Sequence, residues 1–139
     1  MRKFVSAIVF LSATILFAEI NPRYYVEMQK KSPERLRIRV TQVNNEPCDN
    51  CETFKTEVQA VVTKTIRTKS KIKKGRAVTF SYTVFRPREG WVGPRPMPQL
   101  EQGKEYDFFG SKSGVDAQKR VRLEPGARGY SFDSIVDED

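Results

Sequence analysis

Between Ala77 and Val84 the chain alternates without a break: Val78, Phe80, Tyr82 and Val84 take one parity, and Ala77, Thr79, Ser81 and Thr83 the other. Successive side chains leave a strand on opposite faces, so this run makes one apolar and one polar face as a strand. Leu36, Ile38 and Val40 alternate in the same way with Arg35, Arg37 and Arg39. That pattern predicts a second half-buried strand with all three arginines on its outer face. A third segment, rich in Thr and Val, places Phe54, Val58, Ala60, Val62 and Ile66 on one parity, with Lys64 as the one polar interruption. A strand of that length bends or bulges, and Thr63 to Thr65 is the expected place.

The rest of the chain agrees with sheet. Tyr106, Phe108 and Phe109 predict a fourth strand, Val121 and Leu123 a fifth, and Tyr130 with Phe132 a short closing segment. After residue 18 no stretch repeats apolar residues at helical spacing for three turns. Residues 86–103 carry Pro87, Pro94, Pro96 and Pro98 with Gly90, Gly93 and Gly103, a composition that forbids a helix or a central strand. The expected fold is all-β: an OB-like barrel of five to six strands with a Pro-rich loop and little helix. Closure follows because an open sheet would leave unpaired edges. With 139 residues there is room for one such domain.

The first eighteen residues stand apart. Met1-Arg2-Lys3 is a basic start, Phe4 to Phe17 is apolar but for Ser6, Ser12 and Thr14, and Ala18 is a small residue before Glu19. This order predicts a signal peptide over residues 1–18, and hence an exported protein, periplasmic or extracellular. A retained anchor is the competing reading, since Leu16 is an unusual residue at the third position before a cleavage site. The apolar run spans only ~21 Å as a helix, short of a bilayer core of ~30 Å. Residues 19–33 then form an N-terminal extension, 34–132 the barrel, and 133–139 an acidic tail with Asp133, Asp137, Glu138 and Asp139.

Export gives Cys48 and Cys51 a meaning they would lack in a reducing compartment. Asn44, Asn45, Pro47, Asp49 and Asn50 around them read as a turn, which favours a loop-closing disulfide. A periplasmic thiol-disulfide protein using the same Cys-x-x-Cys pair is the alternative function, although no βαβ pattern surrounds the pair as redox motifs require. Two cysteines cannot complete a zinc site by themselves, and metal or intermolecular roles come last.

The chain has no His, which removes Ser-His-Asp and Cys-His catalysis and His-ligated zinc together. Its carboxylates show no paired spacing. Gly110-Ser111-Lys112-Ser113-Gly114 lacks the spacing and the following helix of a phosphate loop, and reads as a turn. No enzyme activity and no cofactor are expected.

Charge placement is the strongest departure from average. The net formal charge is +8, and from Val58 through Arg88 no acid occurs. Lys64, Arg67, Lys69, Lys71, Lys73, Lys74, Arg76, Arg86 and Arg88 carry positive charge there, around a turn at Lys69 to Arg76 whose Gly75 suits a positive φ. Two readings stand. The run is either a solvated device that keeps strand edges from pairing with other chains, or a surface for an anionic partner. Outside a cytoplasm that partner would be an acidic protein, a lipid headgroup, lipopolysaccharide or anionic polysaccharide, and nucleic acid is disfavoured. Trp91, held among prolines and arginines, is either a preorganised recognition residue of the same surface or a cap on the barrel's open end.

The order of the long Val-Thr strand, the basic turn Lys71-Ile72-Lys73-Lys74-Gly75, the strand Val78 to Val84, the Pro-rich loop and Gly103-Lys104-Glu105-Tyr106-Asp107-Phe108-Phe109 resembles secreted OB-fold domains of the netrin and tissue-metalloproteinase-inhibitor type, over roughly residues 34–132. In that family inhibition depends on a mature N-terminal Cys that chelates the protease zinc. The expected mature start here is Glu19, so the resemblance implies fold and compartment and not that activity.

Overall fold

A computed structural model describes residues 22–135; the expected signal peptide and the last acids of the tail lie outside the described residues. Five strands, β1 (Glu34–Asn45), β2 (Thr53–Thr68), β3 (Ala77–Phe85), β4 (Glu105–Val115) and β5 (Val121–Pro125), close a barrel in the order β1-β2-β3-β5-β4. This is an all-β, OB-like fold. Among the described residues one helix, α1 (Pro22–Lys31), precedes it, and a 3-10 turn (Arg128–Tyr130) stands where the sequence suggests a closing segment.

The alternation in β1 does what period two demands, since Leu36, Ile38 and Val40 are buried and Arg37 and Arg39 are exposed. Across the β1–β4 seam Arg39 Nη2 lies 3.0 Å from Glu105 Oε1 and Arg37 Nη1 3.7 Å from Asp107 Oδ1. Each pair sits directly opposite in the register, so the charges favour the alignment even though exposed pairs add little stability. Arg35 departs from the expectation. It is buried, with its guanidinium 5.2 Å from the centre of the Phe109 ring and its Nη2 donating to Ser134 Oγ, because the C-terminal segment covers that end of the strand.

The long β2 bends at the predicted place. Thr63 and Ile66 are the residues skipped where β2 slips against β1, and Thr41 is skipped on β1. Each slip changes which parity faces inward. Phe54, Val58, Ala60 and Val62 therefore reach the core, but Ile66, expected with them, is 39% exposed.

The core is aromatic at its centre. Phe80 lies 5.5 Å from Phe108 and 5.4 Å from Phe132, and Tyr82 packs at a tilt 5.3 Å from Phe132. The Tyr82 hydroxyl donates to Pro98 O at 2.6 Å, and burial holds its pKa far above the usual phenol value. The Pro-rich loop is thereby fastened across the barrel, with Leu100 buried and Gly103 and Lys104 exchanging backbone bonds with Val40.

Helix α1 gives the N-terminal extension a definite place. Tyr25 packs 4.7 Å from Tyr130, and the buried Gln29 donates to Tyr130 O and Asp133 O while accepting from Ile135 N. Its C-terminal carbonyls are met from β2, where Arg67 donates to Gln29 O and Ser32 O. A guanidinium at a helix C-terminus is favoured by both the unsatisfied carbonyls and the helix dipole.

Candidate functional site

The connection from β2 to β3, residues 69–76, is built as a folded strap rather than a simple turn. Glu34, fully buried at the start of β1, accepts from Lys69 N at 3.1 Å and from Ser70 N at 2.7 Å, which secures the entry. Ile72 then turns inward to 3% exposure, with its N–H donated to Thr68 Oγ1 and its carbonyl accepting from Thr65 Oγ1, both at 2.9 Å. Gly75, at φ 90°, donates to Val62 O, and Arg76 O accepts from Val62 N, so the exit is fastened to the middle of β2. A buried apolar plug within the strap explains why it folds back instead of extending into solvent.

Between the strap and β2 lies an open groove of about 760 Å³. Lys64 from β2 and Lys71, Lys73 and Lys74 from the strap surround it, and Thr63, Thr65, Thr68 and Ile72 complete its lining. All four lysines are exposed, and no carboxylate lines the groove. Lys71 adopts φ 59°, a left-handed conformation that is uncommon for a non-glycine residue. Among the described residues none of the four makes an ion pair or a side-chain hydrogen bond.

The remaining residues of the basic run go elsewhere. Lys69 is exposed on the strap outside the groove lining, and Arg76 donates to Lys119 O of the β4–β5 turn. Arg67 serves helix α1, as described. Arg86 stacks on Phe54 at 4.7 Å, Arg88 pairs with Glu52, and Trp91 packs edge-on against Phe85 at 4.9 Å with its indole N–H donated to Pro94 O. Thr53 pairs with Phe85, so these three residues gather at the opposite end of β2 from the strap. Sixteen residues of strand separate the two ends by up to ~50 Å. The structure does not bring Arg86, Arg88 or Trp91 to the lysine groove. Nor does Trp91 cap the barrel: it is 48% exposed on its own loop and packs against none of the core cluster, which Leu100 and Phe132 join instead.

Cys48 and Cys51 sit in the β1–β2 hairpin loop at that same far end, with Cα atoms 5.7 Å apart and sulfurs at disulfide distance. Neither lies at a helix N-terminus of the kind that activates a thiol. Glu46 N donates to Lys55 O just inside the loop, and so closes the hairpin independently of the sulfurs. Closing so short a loop removes chain entropy equivalent to only about 2 kcal/mol. Reducing the pair should therefore leave the far-UV circular dichroism spectrum at 25 °C unchanged and lower the melting temperature by roughly 8 °C. Collapse of the spectrum on reduction would contradict this.

A second concavity lies between β3 and β5. Their parallel pairing covers only Val78↔Val121 and Thr79↔Arg122 before the strands splay, leaving a cleft of about 400 Å³. Glu57, Glu124, Arg122 and Ser81 line it with mixed charge, so it offers no preference for one sign of ligand.

Sequence reasoning found the four lysines but missed Glu34, Ile72 and the three threonines. Ile72 had a signal, as the one apolar residue in a run of lysines. Glu34 had none, since only tertiary folding carries it to amides 35 and 36 positions away. The chain matches no protein-family model and no curated protein.

Proposed function

We propose that this protein is an exported, non-catalytic binding module that recognises an anionic partner through the groove formed by Lys64, Lys71, Lys73 and Lys74. One observation carries the reading: four exposed lysines, without an ion pair among the described residues, line a single concavity that has no carboxylate in its lining. Elsewhere on the surface many cations are already engaged, as Arg37 and Arg39 are with Glu105, Arg88 with Glu52, Arg95 with Asp133 and Arg120 with Asp116. β2 pairs with β3 only from Thr53 to Val61, and beyond that its edge is covered by the strap, through the Val62 backbone bonds to Gly75 and Arg76 and the Thr65 Oγ1 bond to Ile72 O, so edge protection is the competing role for these lysines. The resemblance to secreted netrin and tissue-metalloproteinase-inhibitor barrels fits the same reading at the level of fold and compartment. The basic-apolar-small order of residues 1–18 supports export, into a setting where acidic proteins, anionic lipids and anionic polysaccharides are the available partners.

Heparin serves as the test polyanion. Four phosphate-like contacts predict an affinity that falls on the order of 100-fold between 50 and 200 mM salt, through release of counterions. Replacing Lys71, Lys73 and Lys74 by Ser should flatten that dependence and weaken binding, while each exposed substitution changes stability by no more than about 0.5 kcal/mol. Binding that is insensitive to salt, or equal in parent and variant, would refute the groove as the site.

A further inference from the structure

The anions available outside a cell differ in what else they carry, and the groove's uncharged lining discriminates among them. A polysaccharide or the sugar portion of a glycolipid needs hydrogen-bond partners for many hydroxyls. Two of the groove's three threonine hydroxyls have already given their protons, Thr63 Oγ1 to Arg37 O and Thr65 Oγ1 to Ile72 O, and the third, Thr68 Oγ1, accepts from Ile72 N, which leaves a single hydroxyl proton to offer a sugar. A single-stranded nucleic acid needs aromatic faces for its bases. No aromatic residue lines the groove, and Trp91 stands at the far end of β2. What remains is a lining of four exposed lysines, three threonines and the buried Ile72 beneath them. Long cationic side chains cover apolar surface with their stems while holding the charge at the wet boundary, as at a bilayer interface.

The neighbourhood continues this character. Ile66, next to Thr65 along β2, is 39% exposed, and Lys69 adds a further exposed cation on the strap. The adjoining β4–β5 turn, joined through the Arg76 bond to Lys119 O, holds its acid inward: Asp116 accepts from Arg120 Nε at 2.7 Å and from the Gln118 and Arg120 amides. Desolvation opposes ionisation of Asp116, but these bonds and the Arg120 charge outweigh it and hold its carboxyl below the usual range. The Glu34 anchor fixes the strap before any ligand arrives, so little ordering cost remains to be met on binding.

We propose that the groove's partner is the surface of an anionic phospholipid bilayer, with lipid phosphates against the lysine ammonium groups and the glycerol–acyl region against the apolar lining and Ile66. This rests on the anionic-partner reading above and deepens it. The test is co-sedimentation of the full chain with vesicles of phosphatidylcholine containing phosphatidylglycerol, with phosphatidylcholine-only vesicles and heparin run in parallel. Binding is expected to the phosphatidylglycerol vesicles and not to phosphatidylcholine alone. Each lysine near a charged surface is worth about fivefold, so the Lys71→Ser, Lys73→Ser, Lys74→Ser variant should lose on the order of 100-fold. Ile66→Ser, checked for unchanged folding by circular dichroism, should lose about fivefold on vesicles and nothing on heparin. Lysine-dependent binding to heparin with none to phosphatidylglycerol vesicles would overturn the bilayer assignment and leave the anionic-partner reading in place. An Ile66→Ser variant that binds vesicles as the parent does would also overturn the assignment. Absence of lysine-dependent binding to any probe would overturn both readings.

Discussion

Phe80→Ala is expected to lower the free energy of unfolding by about 4 kcal/mol and the melting temperature by roughly 15 °C. Phe80 is 2% exposed and its ring meets Phe108, Phe132 and Tyr82, which come from β4, the C-terminal segment and β3. Removing the ring deletes contacts to two other parts of the chain and to a neighbour on its own strand at once. The site is also poor at collapsing into the space left behind, because closure of the barrel fixes the strand spacing. Phe80 lies one residue beyond the last β3–β5 pair, so side-chain packing holds the two strands where backbone bonds have stopped. Phe80→Leu, which keeps most of the volume, should cost about 1.5 kcal/mol or less. Urea unfolding of the three proteins measures this directly, and a loss below 1 kcal/mol for the alanine variant would show that the aromatic cluster is not the centre of the core.

Glu34→Ala should cost about 3 kcal/mol and also weaken binding at the groove. The carboxylate accepts two amide bonds from Lys69 and Ser70, and charge-assisted bonds of this kind are worth about 1.5–3 kcal/mol each, offset in part by the relief of a buried charge. Alanine leaves both amides without that acceptor, so the strap's entry loosens and Lys71, Lys73 and Lys74 lose their fixed spacing over Lys64. Glu34→Gln should rescue only partially, since one of the two amides would then face an NH2 group rather than an acceptor. Hydrogen exchange at Lys69 and Ser70, read beside heparin affinity at low salt, separates the outcomes. Faster exchange with unchanged affinity would show that the strap's order does not matter to binding.

The legible part of the fold is the part set by period two. The alternation in Ala77 to Val84 and in Leu36 to Val40 gives strand type, buried face and hence an all-β barrel, because a strand's two faces are fixed by covalent geometry alone. The bend in β2 was legible for the same reason: sixteen residues of strand cannot stay straight around a small barrel. Of the two residues that absorb the bend, Thr63 lies in the expected stretch and Ile66 does not. The slips fall at Thr63 and Ile66, and so expose an isoleucine whose parity alone assigned it to the core. Arg35 shows the converse error, an outward-parity residue buried by a segment about a hundred positions further along the chain.

The candidate site divides along the same line. Charge is local, so the sequence by itself determined that residues 58–88 are a basic stretch without acids, and that Gly75 would end the turn. Grouping is not local. Only the tertiary structure sends Arg67 to the helix carbonyls, and leaves Lys64, Lys71, Lys73 and Lys74 around one groove with Arg86, Arg88 and Trp91 at the other end of β2. The physical reason is the length of that strand. Residues that are neighbours in sequence across a tight turn stay together, whereas those on either side of a long extended strand are separated by its full rise. The Glu34 anchor was decided in the same way, since a carboxylate cannot select its amides until the barrel has closed.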